Sequence, residues 1–129
     1  HAFDSAFYGC TALTSVNFSS LTTVSARSVF YSAFRGCTSL ASVSFSSLAT
    51  VGAGYTFEEA FRGCTSLGSL SFPALTSSGF GAGTGQFTSM LAGVTGCTLH
   101  FPAATQTKIA TLTGYPNFGG TNTTVLFDL

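Results

Sequence analysis

The octapeptide Ala33-Phe34-Arg35-Gly36-Cys37-Thr38-Ser39-Leu40 decides the fold, because closely similar copies begin at Ala6 and at Ala60. The cysteines of the three copies, Cys10, Cys37 and Cys64, recur with a constant period of 27. A fixed period of about 20–50 residues is typical of stacked supersecondary units. The sequence therefore predicts a solenoid, in which neighbouring coils share a core that no single repeat could form alone.

Apolar residues recur at the same positions in each repeat, and they predict the core. Three of these columns contain only phenylalanine and hold nine of the chain's 14 phenylalanines: Phe3, Phe30 and Phe57; Phe7, Phe34 and Phe61; Phe18, Phe45 and Phe72. Cys10, Cys37 and Cys64 are predicted to join them as small buried hydrophobic residues. A disulfide framework is not expected, since three equivalent thiols cannot all pair among themselves.

Each repeat also contains a short stretch of alternating polar and apolar residues, such as Ser42-Val43-Ser44-Phe45. Alternation of this kind is typical of a strand with one buried face. We expect these strands to form a parallel sheet along one side of the solenoid, with polar side chains on its outer face. The candidate binding residues on that face are Ser15, Asn17, Ser42, Ser44, Ser69, Ser71 and, from a fourth strand at 98–102, His100.

The segments that precede Gly36 and Gly63 are predicted to form short helical turns, because Phe30 and Phe34 are four residues apart, as are their counterparts in the next repeat. At the two glycines the chain must turn sharply, and we expect a positive φ, which glycine adopts at little cost.

The repeat becomes irregular after Leu75. Residues 78–85 are rich in glycine and serine and predict a loop, and the next phenylalanine of the turn column, Phe87, follows Phe57 at a spacing larger than the repeat period. A short helix is expected at 103–113 and a final strand at 123–129. The predicted organisation is repeats over 1–102, in about four coils of which the first is incomplete, and a C-terminal cap over 103–129, because a solenoid needs its last coil covered.

Charge is scarce in this chain, and its scarcity excludes some classes of partner. Four Lys and Arg residues balance four Asp and Glu residues, and charged residues make up 6% of the sequence. Nucleic acid is not an expected partner, because binding to it depends on neutralising phosphates. Membrane insertion is not expected either, since no apolar run approaches the roughly 20 residues that span a bilayer. Low net charge does favour self-association.

Two pairs of charged residues share columns of the repeat. Asp4 and Glu58 lie two coils apart, about 10 Å, which is near the upper carboxylate spacing of inverting glycosidases, but Tyr31 lies between them and no cleft is implied. Arg35 and Arg62 stack as like charges on neighbouring coils. They are expected to be exposed solubilising charges, and acids such as Glu58 or Glu59 could offset their repulsion. An anionic ligand is the alternative.

A copper site is the remaining chemical hypothesis. A free α-amine and imidazole at His1, together with the imidazole of His100, could hold copper, but the two residues are expected near opposite ends of the solenoid. No serine has a plausible histidine and acid partner, and no phosphate loop or zinc spacing is present. We therefore expect no enzyme activity, no cofactor and no metal.

The unit Ala-Phe-x-Gly-Cys-Thr-x-Leu-x-Ser-Val/Leu-x-Phe resembles the BspA-like leucine-rich repeats of surface and secreted proteins from gut and oral bacteria. The resemblance covers roughly residues 3–102. It implies a right-handed, mostly β leucine-rich-repeat solenoid with a parallel sheet along one side, and roles in adhesion to host or bacterial surfaces. Two features depart from the family pattern: the period of 27 is longer than expected, and Phe18 and Phe45 replace the more usual aliphatic residues.

Two functions follow as expectations. The first is a non-enzymatic interaction module, extracellular or at the bacterial cell surface, that binds a protein or glycan along the sheet face. The alternative is a structural subunit of an extracellular filament or phage appendage, which would form homo-oligomers through an uncovered N-terminal coil whose strand edges and phenylalanines are open to another chain.

Overall fold

A computed structural model describes residues 2–52 and 54–129, which form a parallel β-solenoid of about four turns. The predicted solenoid with a parallel sheet along one side is confirmed. The strands are β1 (Ser15–Asn17), β2 (Thr23–Val24), β3 (Ser42–Ser44), β4 (Thr50–Val51), β5 (Ser69–Ser71), β6 (Thr98–His100) and β7 (Thr124–Leu126). Strands β1, β3, β5, β6 and β7 make one five-stranded sheet in that order, and β2 and β4 make a second, two-stranded sheet.

The repeat sets the register of β1, β3 and β5 in the first sheet and of β2 and β4 in the second. Ser15 lies opposite Ser42, and Val16 lies opposite Val43, so each residue faces the one that is a full repeat period further along the chain. The second sheet follows the same period, since Thr23 and Val24 pair with Thr50 and Val51. Side chains at equivalent positions of the repeat therefore lie next to each other in neighbouring coils.

The segments before Gly36 and Gly63 are consecutive turns and not the predicted helical turns. Alternate backbone N–H groups bond within the coil and to the next coil: Ala33 donates to Phe30 O at 3.1 Å, whereas Phe34 donates to Ala60 O at 2.9 Å. Ser32 adopts a positive φ of 49°, which an α-helix does not allow. The neighbouring coil thus supplies the acceptors that a helix would find within itself.

The core is built from stacked phenylalanine rings. Phe34 lies between its counterparts in the preceding and following coils, with ring centroids 5.2 and 5.4 Å apart and rings within 4° of parallel. A second stack runs through Phe18, Phe45, Phe72 and Phe101 at 5.4–5.5 Å. Rings of different columns meet edge to face, as Phe30 and Phe45 do at 5.8 Å. Both geometries suit the quadrupole of the aromatic ring.

The first coil differs from the burial that the sequence predicted. Phe7 and Phe18 are only partly buried and Cys10 is exposed, whereas their counterparts in the next two coils, such as Phe34 and Cys37, are fully buried. The reason is geometric: each inner coil is covered on both sides, whereas no coil covers the outer side of the first coil within the described chain.

The repeat cysteines carry a contact that the sequence did not predict. The Cys37 thiol donates to Phe7 O and the Cys64 thiol donates to Phe34 O, both at 3.0 Å. Burial raises the pKa of Cys64 to about 12. These thiols are therefore neutral donors that tie each coil to the preceding one. The described cysteines are all free.

Residues 103–129 add one strand and several buried side chains to the solenoid. A 3₁₀ turn at Ala103–Thr105 leads into α1 (Gln106–Ile109), which ends earlier than the predicted helix. Ile109, Leu112 and Phe118 are buried against the core, and β7 extends the sheet beside β6. The division of the chain into repeats over 1–102 and a cap over 103–129 stays a prediction.

Candidate binding face

The outer face of the five-stranded sheet, which we call the binding face, carries two rows of mostly polar side chains. Each strand contributes one residue to each row, and the apolar residue between these two points inward, as the alternation predicts. Pairing in register places Ser15 beside Ser42, and Ser69 beside Thr98, in one row. The second row runs Asn17, Ser44, Ser71, His100 and Leu126.

The predicted residues differ in exposure along the face. Ser15, Asn17, Ser42 and Ser69 are exposed, whereas Ser44, Ser71 and His100 are partly buried. Asn17 is held locally, because its Oδ1 accepts a hydrogen bond from the Ser19 N–H at 2.8 Å.

Five of the predicted residues surround one shallow depression of about 390 Å³ on this face. It lies over the first three strands of the sheet, and Pro73 and Ser46 border it. The sequence-predicted residues that line it are Ser15, Asn17, Ser42, Ser44 and Ser71. Sequence reasoning missed the bordering residues, which belong to the chain just after the strands. The volume is within the range of small ligand pockets.

Ser69 and His100, the other two predicted residues, do not line the depression. His100 instead pairs with Asp128, whose two carboxylate oxygens lie 2.9 and 3.0 Å from its Nδ1. The partner comes from the nonrepeating tail. Its only sequence signal is a separation of 28 residues, close to the repeat period.

The stacked side chains of Arg35 and Arg62 both form ion pairs with one acid, Glu59. The Glu59 carboxylate contacts Arg35 at 3.0 Å and Arg62 at 2.7 Å, so it relieves the repulsion between the like charges of neighbouring coils. The Tyr8 ring lies 5.6 Å from the Arg35 guanidinium carbon, within the range of a cation–π contact. The cluster links side chains of the first three coils.

Among the described residues, the structure adds no supporting contact for the carboxylate pair of Asp4 and Glu58 or for the copper hypothesis. Tyr31 lies in the coil between those of Asp4 and Glu58. The backbone shows this, since the Ser5 N–H donates to Tyr31 O and the Ser32 N–H donates to Glu58 O in successive coils. Burial, followed by the neighbouring Glu59 charge, raises the pKa of Glu58. The copper hypothesis depends partly on residue 1, which lies outside the described residues. Within residues 2–52 and 54–129, no three His, Cys, Asp or Glu residues are grouped as metal ligands would be.

Residues 3–82 match the family model of the BspA type leucine rich repeat region, in six copies. The chain belongs to this family. The match ends inside the irregular loop, so the resemblance expected to reach residue 102 is shown as far as 82. Neither the curated proteins nor the solved structures contain a match to the chain.

Membership in the BspA-type family fits the geometry of the binding face. Leucine-rich-repeat solenoids typically act as non-enzymatic scaffolds that bind proteins, and they bind along extended faces. Among the described helices, none is long and apolar enough to cross a membrane.

Proposed function

We propose that this chain is a non-enzymatic adhesion module, extracellular or on the bacterial cell surface, that binds a host or microbial partner through the binding face. One observation carries the proposal: five predicted face residues converge on a depression of about 390 Å³ over the first three strands of the sheet. The family's general association with bacterial surfaces supports the location.

The composition of the face favours a protein partner over a glycan. None of the described residues that line the depression is charged, and Phe45 is the one aromatic residue among them. Val16 and Val43 supply apolar surface between the serines. Small side chains leave the strands accessible to an extended polypeptide, whose own hydroxyl and amide groups can bond with serine hydroxyls. Glycan recognition at this face would lack an exposed aromatic platform or a guanidinium.

The test is adhesion of the full chain, coupled to fluorescent beads, to epithelial cells and to bacterial cells. Ser42→Arg and Ser44→Arg place long charged side chains in the depression and should reduce bead binding at least tenfold. Thr38→Arg is the matched control, because Thr38 is exposed on the turn after Cys37, and it should retain binding. Equal binding by all three variants, or no binding by the parent chain, would contradict the proposal.

A structural subunit that assembles with itself is the second candidate function. Its supporting observations are the zero net charge of the chain and the partly exposed rings of Phe3, Phe7 and Phe18 in the first coil. Light scattering over a concentration series separates the two functions. Growth of the mass into regular oligomers would support the subunit, whereas a monomer at every concentration would exclude it.

A further inference from the structure

A second groove, the loop groove, lies where the regular repeat period is broken. It has a volume of about 490 Å³ and shares no lining residue with the depression on the binding face. Arg27, Tyr55, Thr113 and the loop 82–85 line it. The loop belongs to the segment that lengthens the spacing between Phe57 and Phe87 beyond the repeat period. Departures from an otherwise consistent pattern are expected at functional sites.

Tyr55 forms an aromatic wall of the loop groove because Gly85 makes room for it. A Cβ atom at Gly85 would lie 2.6 Å from Cε1 and 2.8 Å from Cδ1 of the Tyr55 ring, a distance that real Cβ contacts do not reach. The ring therefore rests directly on the backbone of the loop. Tyr55 remains 42% exposed, so part of the ring is open to a ligand.

Arg27 is seated in the same way on Gly54. A Cβ atom at Gly54 would lie 2.7 Å from Nε and 3.1 Å from Cγ of Arg27, and Gly54 has a φ of +78° that disfavours any other residue. The guanidinium makes no ion pair among the described residues, unlike Arg35 and Arg62, which share Glu59. Among the described residues, Arg27 is therefore a cation that rests on the backbone and has no acidic partner.

Hydrogen bonds fix the remaining side of the groove. The Thr84 and Thr113 hydroxyl oxygens lie 2.9 Å apart, and the Thr113 N–H donates to Thr84 O at 2.8 Å. The buried Gln86 side chain holds the start of the loop, since its Nε2 donates to Gly81 O at 3.2 Å and to Ala82 O at 3.4 Å. The groove is therefore formed before any ligand binds, which lowers the entropic cost of binding.

We propose that the loop groove binds a carbohydrate residue that carries a carboxylate. The exposed face of Tyr55 offers a flat apolar surface for the C–H face of a sugar ring. Arg27 offers the planar donors that suit a carboxylate, and the Thr84–Thr113 pair offers donors and acceptors for sugar hydroxyls.

Other ligand classes fit the groove less well. A phosphate would find a single cation and leave the aromatic wall unused. A peptide side chain would find no apolar pocket, because the rest of the lining is alanine, glycine and threonine. This site is separate from the binding face, so its test does not depend on the adhesion proposal.

Saturation-transfer NMR on the full chain tests the proposal, with D-glucuronate as the probe and D-glucose and acetate as comparisons. Glucuronate should receive saturation on its ring protons and bind at least tenfold more tightly than glucose. Arg27→Met should weaken glucuronate binding about ten- to hundredfold, since it removes charge-assisted hydrogen bonds, and Tyr55→Ala should abolish it. Tyr55→Phe, which keeps the ring, should bind as the parent does.

Arg62→Met is the matched control, because it removes an equal charge from an arginine that does not line the loop groove. It should leave glucuronate binding unchanged. Thermal melting shows whether each variant is folded, and the replaced side chains at Arg27 and Tyr55 are exposed. The proposal is wrong if glucuronate does not bind, if glucose binds equally well, if acetate competes as well as glucuronate does, or if Arg27→Met and Arg62→Met behave alike.

Discussion

Replacement of Phe34 by alanine tests whether the stacked rings stabilise the solenoid. Phe34 is fully buried and its ring contacts a parallel ring on each side, at 5.2 and 5.4 Å. Truncation of a buried phenylalanine to alanine costs about 3–5 kcal/mol in the free energy of unfolding. Since a domain of ordinary stability has about 5–15 kcal/mol in total, this variant should be severely destabilised.

Phe7→Ala is the matched control, because it removes the same ring from the same column in the first coil. Phe7 is only partly buried, and within its column it stacks on one ring, that of Phe34. About half of the packing is therefore lost, and we expect a cost of roughly 1.5–2.5 kcal/mol. Phe34→Leu keeps most of the volume and should cost about 1–2 kcal/mol, so a folded variant exists even if Phe34→Ala unfolds.

Urea denaturation of the full chain, followed by circular dichroism, measures all three changes. Phe34→Ala should lower the free energy of unfolding more than Phe7→Ala does, by at least about 1 kcal/mol. A Phe34→Ala cost below about 2 kcal/mol, or equal costs at the two positions, would refute the claim that two-sided ring stacking carries the stability of the inner coils.

Three further predictions concern thiols and charges. N-ethylmaleimide should label only the exposed Cys10 in the native chain and all four cysteines in urea; rapid labelling of a second thiol in the native chain would contradict the burial. Because burial raises the pKa of Cys64 to about 12 and of Cys97 to about 11, above the ordinary 9.0 of an unfolded chain, their contribution to stability is complete below about pH 9 and is lost as the pH rises through 11–12. Each thiol should lower the free energy of unfolding by about 1.4 kcal/mol per pH unit between about pH 9 and its folded pKa. Cys64→Ala should therefore make the alkaline decline of the unfolding free energy shallower, and an identical decline would argue against the assignment. Glu59→Gln should cost about 1 kcal/mol in urea denaturation at low salt, because it leaves two arginines stacked, and a loss that does not shrink in about 1 M NaCl would show that the ion pairs are not its cause.

The repeat made most of the fold predictable. With a period of 27 between the cysteines, the inward Phe45 and the outward Ser42 and Ser44 follow from the columns of the repeat. The second sheet does not follow from alternation, although its Thr-Val pairs, at 23–24 and 50–51, have the same period. Two residues are too short a stretch for alternation to indicate a strand.

Features that depend on contacts between coils were not predictable in the same way. The turn segments resembled helical turns because the spacing of Phe30 and Phe34 fits a helix, but hydrogen bonds to the next coil replace the helical ones. The spacing of apolar residues describes one coil at a time and does not indicate which carbonyl accepts each N–H. The thiol of Cys64 illustrates the same limit, since its acceptor lies 30 residues away in the preceding coil.

The candidate site was predictable only where it repeats. The polar rows of the binding face follow from alternation, whereas the border at Pro73 and the pair formed by His100 and Asp128 depend on nonrepeating chain. The exposure of Cys10 was missed for a related reason: a column assigns equal burial to all its members, although a coil with one neighbour is covered on one side only.

The two proposed sites should differ in stoichiometry, because one arises from the repeat and the other from its interruption. Ser42 and Ser44 recur as Ser69 and Ser71 in the next coil, so an extended partner on the binding face meets nearly the same surface in more than one register. Its affinity should therefore rise with the number of coils it covers. The loop groove is lined by residues 82–85, which belong to the irregular segment that lengthens the spacing between Phe57 and Phe87. A sugar bound there should saturate at one per chain, independently of whatever occupies the sheet.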